Sequence, residues 1–130
     1  MDYINGRNLY DILKEKRKFR EDTVRFIIAQ LIIGIGRLHY LNIVHKDLKL
    51  ENIMLAANGY IKIVDYSLTQ ILFPSQACTT ISTNLDYLAP ELTTDQPYEN
   101  FTKTVDWWSL GILMCELYTG QTPYYASTKS

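Results

Sequence analysis

Residues 22–40 constrain this chain more than any other stretch. Val24, Ile27, Ile28, Leu31, Ile35 and Leu38 recur every three or four positions, the period of one helical face. Phe26, Ile32 and Ile33 place further apolar bulk on its other faces. A helix apolar on most sides is buried among other elements, so the spacing predicts a long helix inside a larger core. Asp22 and Thr23 are suited to start it, and it ends near Leu41. At 130 residues and 47% apolar content the chain can build such a core, as one compact domain or as part of one.

Shorter patterns surround that helix. The first six residues read as extended and close on an Asn5-Gly6 turn signal. Leu9, Ile12 and Leu13 predict a short helix that ends in the charged run Lys14–Lys18. Ile53–Leu55 and Tyr60–Val64 favour strand, and Ala57-Asn58-Gly59 between them predicts a hairpin. Residues 66–89 lack periodicity and read as a long loop, which in a compact domain is usually functional. A last helix is expected over residues 103–118, with Val105, Trp108, Ile112, Leu113 and Leu117 inward and Gly120 at its stop. The fold class expected is mainly α (α+β), with one small β-hairpin.

Several functions are disfavoured. A net charge of −1 gives no basic surface for nucleic acid. No apolar run is long enough to span a bilayer. The first six residues have neither the basic nor the apolar region of a signal peptide. Cys78 and Cys115 match no zinc spacing and no disulfide framework. The expected location is cytoplasmic, with the nucleus also open.

The chemistry is concentrated in His45-Lys46-Asp47-Leu48-Lys49-Leu50-Glu51-Asn52. The octet precedes the hairpin and Asp65 follows it, so a reversal of direction brings Asp47, Lys49, Asn52 and Asp65 to one end. A carboxylate and an amide oxygen are hard ligands suited to Mg²⁺. A lysine offers positive charge to a phosphoryl group, and a second carboxylate can orient a hydroxyl or accept its proton. Together these groups suit phosphoryl transfer.

His45-x-Asp47-Leu48-x-x-x-Asn52, Asp65-Tyr66-Ser67 and Ala89-Pro90-Glu91 resemble, in order, three signature motifs of protein kinases. Lys49 matches the serine/threonine form of the first. Leu48–Asn52, Asp86–Glu91 and Val105-Asp106-Trp107-Trp108-Ser109-Leu110-Gly111 resemble the AGC group, the relatives of cAMP-dependent kinase, protein kinase C and Akt. The resemblance implies a partial kinase C-terminal lobe over residues 1–130: hinge at 1–6, helices, catalytic loop and hairpin at 7–64, activation segment at 65–91, and the last helix region at 92–130. It implies ATP and Mg²⁺ as cofactors and a protein Ser/Thr as substrate. Asp47 would be the catalytic base and Lys49 would contact the γ-phosphate. Asn52 and Asp65 would hold the metal ions. Asp2 and Ile4 would meet the adenine edge, and Met54 would lie beneath the ring. Asp106 would brace the catalytic loop, and His45 would pack as a structural residue. His39 is assigned no role. Thr80 falls where AGC kinases are phosphorylated, with Thr79 and Ser82 as neighbours.

Other positions depart from the pattern. Lys46 replaces an arginine, and lysine lacks the planar fork that grips a phosphate. Ser67 replaces a glycine whose backbone freedom a serine does not share. Thr83-Asn84-Leu85 replaces Gly-Thr-Pro, with Asn84 able to hydrogen-bond in place of the threonine. Asn8 stands where a glutamate commonly contacts ribose and a basic substrate residue, while Glu51 is retained, so a basic substrate preference is expected in weakened form. The glycine-rich loop, the strand lysine and its glutamate partner are not in these residues, nor are the final helices of the large lobe. Residues 1–130 alone are therefore expected to bind ATP weakly without turnover. Apolar faces would need the other lobe or a partner to cover them. A non-catalytic kinase-like binding module is the alternative.

Overall fold

The structure, a computed structural model, describes residues 5–72, 84–92 and 102–125. Three helices, α1 (Leu9–Lys16), α2 (Glu21–Tyr40) and α3 (Thr104–Thr119), supply most of the core. Strands β1 (Gly6–Asn8), β3 (Ile53–Ala56) and β4 (Ile61–Ile63) form an antiparallel sheet in the order β1-β3-β4. Strands β2 (Ile43–Val44) and β5 (Gln70–Ile71) form a separate antiparallel pair.

α1 begins at a side-chain cap. Asn8 Oδ1 accepts from the Asp11 amide at 2.8 Å, and Asn8 Nδ2 donates to Asp11 Oδ2 at 2.9 Å. Leu9, Ile12 and Leu13 face inward as their spacing predicts. α2 buries Val24, Ile27, Leu31 and Ile35 in the common core, packing chiefly on α3 and β4. It starts one residue before Asp22, and no side chain caps it. Its remaining apolar faces are open: Phe26 is 56% exposed and Ile33 73%. The expectation of burial on most sides therefore holds only for the stripe.

The hairpin forms where expected, with Ile53 opposite Ile63 and Leu55 opposite Ile61. It is not alone. Gly6–Asn8 adds a third strand, with Gly6 opposite Ala56 and Asn8 opposite Met54. Gly6 begins a strand rather than closing a turn because it allows backbones to approach. A Cβ there would sit 2.3 Å from the Leu55 carbonyl oxygen. The expected long loop also contains structure. β5 lies within it, Ile71 pairs with Ile43 and Gln70 with Val44, and Leu85–Tyr87 is a 3₁₀ turn. A ladder this short is too brief to impose a period on the sequence.

α3 ends at Gly120, which adopts φ 86 while its amide donates to the Glu116 carbonyl at 2.8 Å. The link between α1 and α2 docks there. The Phe19 amide donates to the Leu117 carbonyl at 2.9 Å, and a Cβ on Gly120 would lie 2.3 Å from the Arg17 carbonyl oxygen. Gly120→Ala is therefore expected to lower the unfolding free energy by at least about 1–2 kcal/mol from the left-handed backbone alone. Gly111→Ala, in the same helix with open space around its Cβ, is expected to raise it by about 0.5–1 kcal/mol. Urea denaturation of both variants checks the pair.

Candidate active site

The site hangs on Asp106, a fully buried carboxylate in the first turn of α3. Its Oδ2 accepts from the His45 amide at 2.9 Å and faces His39 Nε2 at 2.8 Å. Its Oδ1 accepts from the Lys46 amide at 2.9 Å. The helix N-terminus also favours a negative charge at this place. Lys103, just before α3, donates from Nζ to the His39 carbonyl at 2.6 Å and to Asn42 Oδ1 at 2.9 Å. The end of α2 and the start of the loop are thus tied to one end of α3. The bracing expected of Asp106 is what the geometry shows. His39, assigned no role from sequence, belongs to that brace: it is buried and packs edge-on against Trp107.

His45 is fully buried. Its Nδ1 accepts from the Asp47 amide at 3.3 Å, so the proton sits on Nε2, which lies 3.3 Å from the Val64 carbonyl oxygen. Burial pushes the imidazole pKa below its ordinary value, against the opposing pull of Asp106. The ring is a neutral spacer between the loop and the end of β4, in keeping with a structural residue.

Asp47, Lys49 and Asn52 meet directly. Lys49 Nζ lies 3.0 Å from Asp47 Oδ2. Asn52 Nδ2 donates to the Asp47 carbonyl at 2.8 Å and to Oδ2 at 3.2 Å. Asn52 sits in the 3₁₀ turn Leu50–Asn52, and its carbonyl accepts from the Val64 amide at 2.9 Å. That bond fixes the residue before Asp65 at the same end of the sheet. Asp65 is exposed, at φ 59, with Oδ1 accepting from the Ser67 amide at 3.2 Å. The Ser67 hydroxyl and amide hold its pKa low, and the charge of Lys49 adds to this. The left-handed residue of this motif is Asp65; Ser67 has no positive φ, so the cost expected from replacing glycine is not incurred there.

The donor set fits a divalent cation. With Nδ2 of Asn52 committed to Asp47, the amide presents Oδ1 as an acceptor. Asp65 offers an ionised carboxylate. Among the described residues no group of three or more His, Cys, Asp or Glu side chains is placed to hold a metal. A few protein oxygens completed by phosphate oxygens and water suit Mg²⁺.

The other predicted residues fall around this centre. Glu51 is exposed in the same turn, and Met54 is half-buried on β3. Both ends of the Asn8 amide are used by the α1 cap. Asn84 lines a cavity of about 10 Å³ with Lys46 and Asp47, room for about one water. Asp2, Ile4 and Thr80 lie outside the described residues.

Sequence reading missed a buried acid. The Tyr87 hydroxyl donates to Glu116 Oε2, and both side chains are buried. Burial raises the Glu116 pKa, and the Glu51 and Asp86 carboxylates push the same way while the Tyr87 bond opposes them. Burial and the Glu116 bond also raise the Tyr87 phenol. The available signal was position: Glu116 lies three and four residues after Leu113 and Ile112, on the inward face of α3.

A carboxylate paired with a lysine thus lies beside hard oxygen ligands at the end of a hairpin, on a helical lobe. The family model of the protein kinase domain matches residues 1–130, and the chain belongs to that family. It is 40% identical to the "cAMP-dependent protein kinase catalytic subunit" of Schizosaccharomyces pombe over 97% of this chain and 24% of that protein. It is 41% identical to "Serine/threonine-protein kinase Sgk1-A" of Xenopus laevis over 97% of this chain and 29% of that protein. It is 37% identical to human "Serine/threonine-protein kinase Sgk2" over 100% of this chain and 35% of that protein. These relatives bear out the AGC-like resemblance and the mainly α, partial kinase fold. The chain spans about a quarter to a third of the length of the curated relatives it matches.

Two outcomes follow. Asp106→Asn sets an amide NH₂ against a backbone or imidazole donor and is expected to cost about 3 kcal/mol of unfolding free energy, read from urea denaturation. The second concerns pH. His45 titrates below 6.5 in the fold, so its contribution is complete above about 6.5 and is lost as pH falls toward the depressed value, by at most about 1.4 kcal/mol per pH unit. Glu116 acts with the opposite sign, because its pKa lies above 4.5 in the fold: its contribution is full below 4.5 and lost as pH rises through the raised value. The loss of stability between pH 7.5 and 5.5 is expected to be shallower in His45→Phe and steeper in Glu116→Gln than in wild type, measured by urea denaturation at both values.

Proposed function

We propose that this chain is part of the catalytic domain of a serine/threonine protein kinase, which transfers the γ-phosphoryl group of ATP to a protein hydroxyl. The contact of Asp47 with both Lys49 and Asn52, at the same end of the sheet as Asp65, carries the reading. Asp47 accepts or orients the substrate hydroxyl proton, with the Lys49 ammonium beside it. Lys49 is free to swing its ammonium toward phosphate oxygens while remaining beside Asp47. Asn52 and Asp65 hold Mg²⁺, which when bound neutralises charge on the transferring phosphates. Asp106 and His39 act through the backbone as positioning residues, holding the His45 and Lys46 amides that launch the loop.

The substrate reading is a basic protein segment. The Glu51 and Asp86 carboxylates lie close enough to Glu116 to raise its cost of ionisation. A cation placed among them would relieve that repulsion. Asn8 does not join them, since its amide is taken up by the helix cap. The second reading, a kinase-like binding module, is favoured by one observation: Lys46 stands in place of the usual arginine and is engaged by Gln70.

Catalysis also takes a glycine-rich loop and a strand lysine, which these 130 residues do not contain. Nucleotide binding is therefore the first readout. Mg-ATP is expected to raise the melting temperature, and Asp65→Ala or Asn52→Ala to remove the Mg²⁺-dependent part of that rise. In the full-length protein, Asp47→Asn is expected to slow phosphorylation of a basic serine peptide by about 100-fold or more while leaving the Mg-ATP shift in place. A wild-type protein indifferent to Mg-ATP would favour the binding module.

A further inference from the structure

The backbone of Lys46 is held at φ 69, with its amide bonded to Asp106. That pinned conformation sends the side chain toward β5, where Nζ donates to Gln70 Oε1 at 3.1 Å in a partly buried place. The two residues belong to different segments. Lys46 opens the loop that carries Asp47, and Gln70 lies five residues beyond Asp65. A minimal ladder also joins these segments: Val44 opposite Gln70, Ile43 opposite Ile71, and the Leu72 amide donating to the Asn42 carbonyl at 2.8 Å. Two-residue strands have little stability of their own.

Kinase activation segments are commonly ordered by phosphorylation, through new pairs between arginine and the phosphate. Arginine suits that task because its planar fork takes phosphate oxygens bidentately. Here the cation is a lysine, a point charge, and its acceptor is an amide supplied by the fold. A charge-assisted bond to a neutral oxygen ties the same two segments without an added anion. We propose that the Lys46–Gln70 bridge clamps the loop carrying Asp47 to β5 in the unphosphorylated protein, so that ordering of this side of the site does not depend on a phosphate. This rests on the kinase reading for its meaning in regulation; the bridge itself does not.

Hydrogen exchange tests it, on the full-length protein before and after phosphatase treatment, with phosphate removal confirmed by intact mass. In peptides covering residues 41–49 and 68–72, exchange is expected to be equally slow in both samples. Lys46→Met and Gln70→Leu are each expected to speed exchange there by about tenfold. The exchanged pair Lys46→Gln with Gln70→Lys is expected to restore most of the protection, which a packing effect of the single changes would not do. Phosphatase-treated wild type exchanging as fast as Lys46→Met would overturn the proposal, as would failure of the exchanged pair to rescue while its cooperative unfolding is retained. The readout needs no nucleotide, so loss of Mg-ATP binding and loss of the bridge are separate results.

Discussion

The side chain of Asp106 organises a region far larger than itself. Its two oxygens engage His39, His45 and Lys46, groups 67, 61 and 60 residues earlier in the chain. A buried carboxylate without partners would be intolerable. With three donors and the positive end of α3 around it, the same charge becomes a fixed point. Because two of the donors are consecutive backbone amides, it sets the direction in which the loop leaves β2. Lys46 is held at positive φ by that pair of bonds, a conformation that non-glycine residues keep only when their surroundings enforce it. The positions of Asp47, Lys49 and Asn52 follow from that departure angle.

The next constraint is the neutral state of His45. A ring that donates to Val64 and accepts from Asp47 can bridge the loop to the end of β4 only while it carries a single proton. Burial enforces this by penalising the imidazolium. The bridge, together with the bond from the Val64 amide to Asn52, keeps the two halves of the candidate metal site at one end of the sheet. Electrostatics and backbone geometry serve the same end here. The groups that set the frame are buried, whereas Asp65 stays exposed and ionised where a cation can reach it.

Much of this was legible in the sequence, for physical reasons that differ by element. α1, α2 and α3 carry stripes long enough to show a period. The hairpin carries a glycine-marked turn between two β-favouring runs. The octet could be read because function requires its residue types in a fixed order. β1 and β5 were not legible, since strands of three and two residues show no alternation. Gly6 is ambiguous in the sequence because glycine serves equally for turns and for close backbone approach, and only the position of Leu55 distinguishes the two. His39 gave no signal at all, because its partner is distant in sequence and local pattern cannot register it. Glu116 did give one, an acid on an apolar face, which becomes informative only beside Tyr87. The open faces of α2 escape the sequence for a different reason: periodicity reports which residues are apolar, not what covers them.

The departures from the kinase pattern now look less like damage than their residue types suggested. Lys46 cannot form a planar fork, yet it has found an acceptor on β5. Ser67 lacks the freedom of glycine, yet the left-handed backbone falls on Asp65, and Ser67 contributes donors that hold that carboxylate ionised. Asn8 lacks the carboxylate expected there and instead satisfies both its own amide and the first turn of α1. None of these substitutions leaves a buried polar side-chain atom of its own without a partner. Here the groups suited to phosphate and metal are kept, and the altered ones are locally accommodated.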